Sequence, residues 1–351
     1  MHTRIIGTGS YIPPVITKNE DFLDHDFLHT DGSSFDSDTA EIIEKFESIT
    51  GIQQRRYVRA DQNSSDIAFL AAEKAIEDAK IDKEIIDYII VAHNFGDVAK
   101  GTVQADTVPS MATRVKHALG IQNPKCVAYD LLFGCPGWIE GCNHATAFIK
   151  ANMAKNCLVI GTETLSRIID KHDRDSMIYA DGAGAAVLSA SSQEGILSQL
   201  SATYTSEEAY YLFFGESYNK AQKDNRKYIK MFGRKIYEFA VTYVPKAMKE
   251  CLDNSGVAIE DVKKIFLHQA NEKMDDAILK RFYRQYNCSV PEHIMPMNIH
   301  TLGNSSVATI PTLFDMVRKG NMENQELHKG DVIIFASVGA GMNINALVYK
   351  Y

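Results

Sequence analysis

Tyr129-Asp130-Leu131-Leu132-Phe133-Gly134-Cys135-Pro136-Gly137-Trp138 is the stretch that decides how this chain is read. The apolar run from Cys126 to Phe133 predicts a buried strand. Gly134 permits a sharp turn, and Pro136 suits the first position of a helix from Ile139 to about Lys155. Cys135 then stands at a helix entrance, where unpaired N–H groups and the helix dipole favour negative charge. A thiol placed there is expected to have a lowered pKa and to be nucleophilic. Cysteine is also among the most buried and inert residue types, so the motif needs partners. Two lie downstream: His268 in His268-Gln269-Ala270-Asn271, and Asn304 in Gly303-Asn304-Ser305-Ser306.

Outward from this stretch the chain alternates strands and helices. Ile5 to Ile12 reads as a strand, residues 24–41 as an acid-rich exposed loop, and Glu41 to Ile49 as a helix stopped by Gly51. Ser65 to Ala79 has helical spacing, with Ser65 or Asp66 as N-cap, and precedes a short buried strand, Tyr88 to Ala92, that leads to His93-Asn94. The same order returns half a chain later. A helix from Thr242 to Asn254 precedes the strand Ile265-Phe266-Leu267, which ends at His268. Asn156-Cys157-Leu158-Val159-Ile160-Gly161 is likewise matched in pattern by Asp331-Val332-Ile333-Ile334-Phe335-Ala336. This predicts a duplicated α/β unit, residues 1–190 carrying the cysteine and 191–351 the histidine and asparagine, with mostly parallel buried sheets. Functional groups in such sheets gather beyond the carboxyl ends of strands, so Cys135, His268 and Asn304 can converge where the halves meet.

Each of the three is weak alone. A histidine at a strand end is usually structural, as its near-twin His93 illustrates, and Asn304 reads equally as a turn or cap residue. Cys, His and Asn also serve papain-like proteases, but the local sequences of that class are absent here.

The 351 residues can bury a large core, and 45% hydrophobic with 23% charged residues describes an ordinary globular chain. A net charge of −8 argues against general nucleic-acid binding. No apolar run approaches the roughly 20 residues of a membrane span, and the start shows no signal peptide. Six cysteines without a CxxC pair predict neither zinc nor a disulfide framework, and a reducing cytoplasm. Asp181-Gly182-Ala183-Gly184 lacks the spacing of a nucleotide loop and is read as a tight turn near the site.

Taken together, the motifs resemble the β-ketoacyl-acyl-carrier-protein synthase III family, condensing enzymes of the thiolase fold. The carrying residues are Thr50-Gly51-Ile52 with Arg55-Arg56, Gly134-Cys135-Pro136-Gly137, Tyr179-Ala180-Asp181-Gly182-Ala183-Gly184, His268-Gln269-Ala270-Asn271, Gly303-Asn304-Ser305-Ser306 and Gly339-Ala340-Gly341-Met342. The resemblance implies a layered αβαβα core of two α/β halves and a homodimer. It implies that Cys135 takes an acyl group while His268 and Asn304 assist decarboxylation, with backbone N–H groups of Cys135 and Gly341 as the oxyanion hole. The substrates implied are acyl-coenzyme A or an acyl carrier protein thioester, with malonyl on acyl carrier protein; no bound cofactor, metal, nucleic acid or membrane is implied. A thiolase is disfavoured, since the Gly339-Ala340-Gly341 loop holds no second cysteine. A specialised secondary-metabolite relative, of alkylresorcinol or quinolone type, is the rival reading. A non-catalytic partner subunit is the third, opposed by retention of all three residues.

The departures cluster at the entrance. Lys45 and Ile49 stand where coenzyme-A-primed members usually carry a Trp and an Arg, Lys273 where an Arg is common, and Glu238 where a Lys is common. Arg174 still matches a coenzyme-contacting arginine, and Asn271 lies beside the entrance. Val108 stands where many members carry an aromatic that closes the partner's acyl pocket, which would leave room for a larger acyl group unless Leu132 or Trp138 fills it. Between Tyr218 and Lys235 lie Lys220, Lys223, Arg226, Lys227, Lys230, Arg234 and Lys235 against one acid, Asp224. Such a patch, with Lys227, Lys230, Arg234 and Lys235 foremost, would steer an acidic carrier protein; a merely solvated basic face is the alternative.

Overall fold

Two sheets built on one plan carry the core of this computed structural model, which describes residues 1–102, 104–223 and 225–351. In spatial order the first sheet is β1 (His2–Tyr11), β7 (Asp181–Ser191), β6 (Asn156–Thr164), β4 (Tyr88–His93) and β5 (Val127–Leu132). The second is β8 (Ile196–Thr203), β13 (Asn343–Lys350), β12 (Val332–Gly339) and β11 (Val262–Leu267). The order β1-β7-β6-β4 runs antiparallel, antiparallel, parallel, and β8-β13-β12-β11 repeats those directions. The matching sequence patterns around residues 88 and 265, and around 156 and 331, therefore fall on equivalent strands. The central strands β6 and β12 are buried at every position, as expected where helices cover both faces.

Three apolar clusters separate five layers. Outside the first sheet lie α2 (Ser64–Ala79) and α3 (Met111–Ala118), with Ile67, Ala71, Val115 and Ile160 buried together. Between the sheets lie α4 (Gly137–Lys150) and α8 (Thr309–Arg318), where Ile139, Cys142, Leu313 and Phe314 pack on Val159 and Phe335. Outside the second sheet, α5 (Gly233–Ser255) and α6 (Glu272–Arg284) cover Ile265, Ile334 and Ile344 with Val244, Met248, Ile278 and Phe282. A smaller fourth cluster sets α1 (Thr39–Thr50) and α7 (Ile299–Leu302) against residues 165–179. Two ribbons, β2 (Val15–Lys18) with β3 (Gln54–Tyr57), and β9 (Leu212–Gly215) with β10 (Tyr228–Met231), complete the chain. This is the αβαβα layering of the thiolase fold.

Several local expectations are corrected. The run 126–133 is not a buried strand: β5 is the edge of its sheet, and Val127 and Leu132 are exposed. Asp181-Gly182-Ala183-Gly184 forms no turn but opens β7; a side chain at Gly184 would collide with Pro311 and Thr312 of α8. The cap of α2 is Asn63, whose N–H donates to Asp66, two residues earlier than the Ser65 reading. α5 begins at Gly233, well before Thr242, and passes Pro245 without ending. The acid-rich stretch before α1 is not wholly exposed, since Phe27 and Leu28 are buried and Leu28 pairs with Ser34.

Candidate active site

Cys135 sits between the end of β5 and the start of α4, held against the loop that follows β12. The two loops meet backbone to backbone. A Cβ on Gly134 would lie 2.6 Å from the Ala340 nitrogen, and one on Gly339 would lie 2.5 Å from the Cys135 nitrogen. Only glycine at both places allows the first half's nucleophile to reach the second half. His268 follows β11, and its N–H donates to the Ala336 carbonyl at 2.9 Å, extending the strand pairing by one residue. Asn304 is fixed by two backbone bonds to the first half: its N–H to Ile178 at 3.0 Å, and the Ala180 N–H to its carbonyl at 2.8 Å. Its side-chain Oδ1 accepts the Ser306 N–H at 2.7 Å, which leaves Nδ2 as the atom free to donate.

All three side chains line one cavity of about 730 Å³, which Gly341, at φ 75°, also borders. Its walls are largely apolar, with Phe46, Phe95, Phe133, Leu212, Phe213 and Met231 among the lining residues. That environment governs the titrations. Burial pushes the Cys135 thiol up to about 12; the Ser306 hydroxyl, 3.3 Å from Sγ, opposes the rise, and the Glu163 carboxylate adds to it. The expected lowering of the thiol pKa is thus overturned, because loss of water outweighs what one helix end supplies. Burial lowers His268 to about 4, so its imidazole is neutral at ordinary pH. His268 Nδ1 is buried without a hydrogen-bond partner.

Glu163, at the end of β6, is raised to about 8 by burial, against the bonds from Asn94 that lower it. Unfolded, such a group titrates near 4.5, so the folded chain holds an extra proton between about 4.5 and 8 and loses stability as pH rises through that window. Glu163→Gln removes this loss, and its melting temperature is expected to fall less than that of the native chain between pH 6 and 9. Equal slopes would contradict the assignment. His268 acts in the opposite direction, withdrawing stability as pH falls from 6.5 towards 4.

The other anticipated residues divide. Leu132, 73% exposed, borders the cavity mouth, as do Asn271 and Arg174. Asn271 Oδ1 also caps α6 by accepting the Met274 N–H, and the Arg174 guanidinium lies 5.0 Å from the centre of the Phe35 ring. That ring comes from the stretch read as exposed loop. Trp138 is corrected: it lies in the core against Phe335, with ring centres 5.6 Å apart, and does not line the cavity. Lys273 is exposed on α6, and Val108 is 84% exposed; neither is among the described lining residues.

The basic stretch is corrected too. Lys230 is 1% exposed and bonds Asp170 at 2.7 Å and Asp173 at 3.0 Å, tying β10 to the loop before Arg174. It is unavailable for docking, because β10 turns it inward where partners balance its charge. Lys230→Ala would strand two buried carboxylates and is expected to destabilise the fold by about 3–5 kcal/mol; an unchanged melting temperature would refute this. Lys227 pairs with Glu216 and Arg234 with Glu238, while Lys235 lies over Tyr211 and Phe232. Asp224, the acid of this stretch, lies outside the described residues.

Sequence reasoning missed the residues behind the thiol. Ser306 stood inside a quoted motif and Asn94 beside His93, yet nothing in either pattern linked them to each other, to Glu163 or to Cys135.

Two layered halves meeting over a cysteine, a histidine and an asparagine define a condensing acyltransferase of the thiolase fold. Comparison with known proteins is consistent along the whole chain. The profile of 3-oxoacyl-[acyl-carrier-protein (ACP)] synthase III matches residues 129–205, and that of its C-terminal part matches residues 252–351. Over 353 residues the chain is 33% identical to β-ketoacyl-[acyl-carrier-protein] synthase III 1 of Vibrio vulnificus (strain YJ016), with 100% of both covered. It is 34% identical to β-ketoacyl-[acyl-carrier-protein] synthase III of Clostridium perfringens (strain SM101 / Type A), with 99% of both covered. The crystal structure of 3-oxoacyl-[acyl-carrier-protein] synthase III from Aquifex aeolicus VF5 superposes with a TM-score of 0.80 at 30% identity, covering 99% of this chain and 100% of that one. The chain belongs to the β-ketoacyl-acyl-carrier-protein synthase III family.

Proposed function

We propose that the chain condenses an acyl group from acyl-coenzyme A with malonyl on acyl carrier protein, giving a 3-oxoacyl thioester that starts a fatty acid. Cys135 attacks the donor thioester; the acyl group moves to Sγ, and the coenzyme thiol leaves with the proton that Cys135 gives up. Malonyl thioester then loses its carboxylate as CO2, and the electron pair of the broken bond passes to an enolate. His268 and Asn304 Nδ2 donate to the enolate oxygen and thereby favour that step. The carbon nucleophile attacks acyl-Cys135, N–H groups at Cys135 and Gly341 hold the resulting oxyanion, and its collapse returns the thiolate. Nothing in this sequence of steps requires a metal or a redox cofactor. The observation that carries the reading is the Asn304 amide, turned by Ser306 so that its donor rather than its acceptor is free beside Cys135.

The decisive experiment is intact mass after mixing the protein with acyl-coenzyme A and acyl-carrier-protein thioesters, with Cys135→Ala alongside. A mass gain from acyl-coenzyme A that is absent in the variant supports the reading; no gain from any donor refutes it. Residues 1–190 and 191–351 are taken as the two halves, one supplying the nucleophile and the other the donors.

Two partners belong to the proposal. Acyl carrier protein is expected to dock near Arg234 and Lys235 at the start of α5, where Arg234 is 92% exposed. Reversing both charges is expected to raise the carrier-protein KM several-fold at low salt with kcat little changed; an unaltered KM would reject this face. A second copy of the chain is expected along the exposed edge strand β5, with Val108 of each protomer near the other's acyl pocket. Light scattering that gives a monomer would reject the dimer. In that dimer, Val108 leaves a wider acyl pocket than an aromatic would, and turnover of acetyl donors alone would contradict the wider pocket. Among the described residues no helix is long and apolar enough to cross a membrane.

A further inference from the structure

The hydrogen bonds behind Cys135 run in one direction. Asn94 Nδ2 donates to the Glu163 carboxylate and, at 3.0 Å, to Ser306 Oγ. Asn94 N–H also donates to Glu163, at 2.9 Å, so the asparagine is held from both its backbone and its side chain. An amide nitrogen donates and does not accept, so the hydroxyl hydrogen of Ser306 is left to point elsewhere. It points at Cys135 Sγ, 3.3 Å away.

The backbone of Ser306 is as unusual as its side chain. Its φ is 51°, in the left-handed region that residues with a Cβ rarely occupy. In that conformation its N–H reaches Asn304 Oδ1 at 2.7 Å. One strained residue therefore touches the nucleophile with its hydroxyl and sets the decarboxylating amide with its N–H. Strain of this kind persists where the surroundings impose it, and it gathers at functional sites.

We propose that Ser306 is a catalytic residue of the acylation step, its hydroxyl stabilising the Cys135 thiolate while Asn94 fixes the direction of that hydroxyl. The hydroxyl keeps its own proton throughout; the thiol's proton leaves with the departing thiol of the donor. In an apolar cavity the bond replaces some of the water that a thiolate would otherwise require. The other titratable groups around this sulfur are Glu163 from β6, Tyr179 from the segment before β7, and His268 from the loop after β11. Tyr179 and His268 stay neutral across the working range, which leaves Glu163 as the group whose titration overlaps.

The inference rests on Cys135 being the acyl acceptor, and its test separates the two claims by using a reagent that needs no acyl donor. Carboxamidomethylation of Cys135 by iodoacetamide is followed by peptide mass from pH 6 to 11. Ser306→Gly is the informative variant: glycine is at ease at this φ and keeps the N–H to Asn304, so only the hydroxyl is lost. Its labelling profile is expected to move to higher pH by about one unit, and labelling at neutral pH to slow about tenfold, with no fall in melting temperature. Asn94→Ala is expected to give a smaller shift in the same direction. The Ser306→Gly shift is expected to persist in a Glu163→Gln background, where the overlapping titration is gone. Native labelling in Ser306→Gly, or loss of the shift in that background, would overturn the proposal. Failure of acyl transfer with the labelling shift intact would instead count against the acyl-acceptor reading.

Discussion

Cys135→Ala protein is expected to gain no mass from any acyl donor and to lose condensation by on the order of 10⁴-fold or more, yet still to release CO2 from malonyl carrier protein. The two halves of the reaction use different atoms. Acyl transfer needs Sγ at the end of β5. Decarboxylation needs donors aimed at the malonyl thioester oxygen, and those come from His268 and Asn304, which are held by β11, β12 and the bonds to Ile178 and Ala180. Alanine at 135 keeps the backbone N–H and the contact with Gly339. Radiolabelled CO2 release measured beside intact mass decides the matter. Loss of both activities would mean that Cys135 also builds the decarboxylation site.

Removing either donor is expected to give the converse. His268→Ala and Asn304→Ala should each slow decarboxylation by about 10²–10³-fold, the usual effect of losing one oxyanion donor, with acylation of Cys135 within a few-fold of native. Asn304→Asp tests the sign of the contact. The aspartate can still accept the Ser306 N–H, but it presents a carboxylate oxygen where Nδ2 stood, so it is expected to be at least as slow as the alanine. A carboxylate that matched the native rate would remove the donor role. Since His268 stays neutral down to about 4, decarboxylation is expected to show no break between pH 5 and 7 from this residue, and a break near 6.5 would show that its imidazole is exposed to water.

Much of this site was legible because its chemistry sits in short local patterns. Cys135 and His268 each follow a strand-like run, and the repeat of strand order placed both at one seam, whereas Asn304 follows the short helix α7 and was legible only from its local motif. What escaped was tertiary. The helix start beside Cys135 is visible in sequence, but the apolar cavity that outweighs it is assembled from α1, β9, β10 and the loops between, far apart in the chain. Asn94 and Glu163 meet where the neighbouring strands β4 and β6 end, and Ser306 joins them only when the second half docks, so no spacing in the sequence links the three. Lys230 misled because a run of charges looks alike inside and outside. Its apolar neighbours Ile229 and Met231 were the only hint of a strand, and the partners Asp170 and Asp173 belong to another segment.

The mirrored sheets bear on how one histidine became chemical. β4 and β11 are counterparts: β4 ends in His93, and β11 is followed directly by His268. His93 is flanked on both sides: Nδ1 accepts the Gly96 N–H at 2.9 Å, and Nε2 lies 3.1 Å from Asp130 without an aligned hydrogen bond, while Asp130 in turn receives two N–H groups from the start of α3. His268 keeps its place at the strand end, but its Nδ1 has no such neighbour. One histidine is masonry, its ring set between Gly96 and Asp130, and the other faces the cavity with Nδ1 unpaired. Diverging twins of this kind predict an asymmetry for protein engineering: giving His268 a carboxylate companion would turn it back towards masonry, whereas stripping Asp130 from His93 would loosen a wall without opening a second workshop.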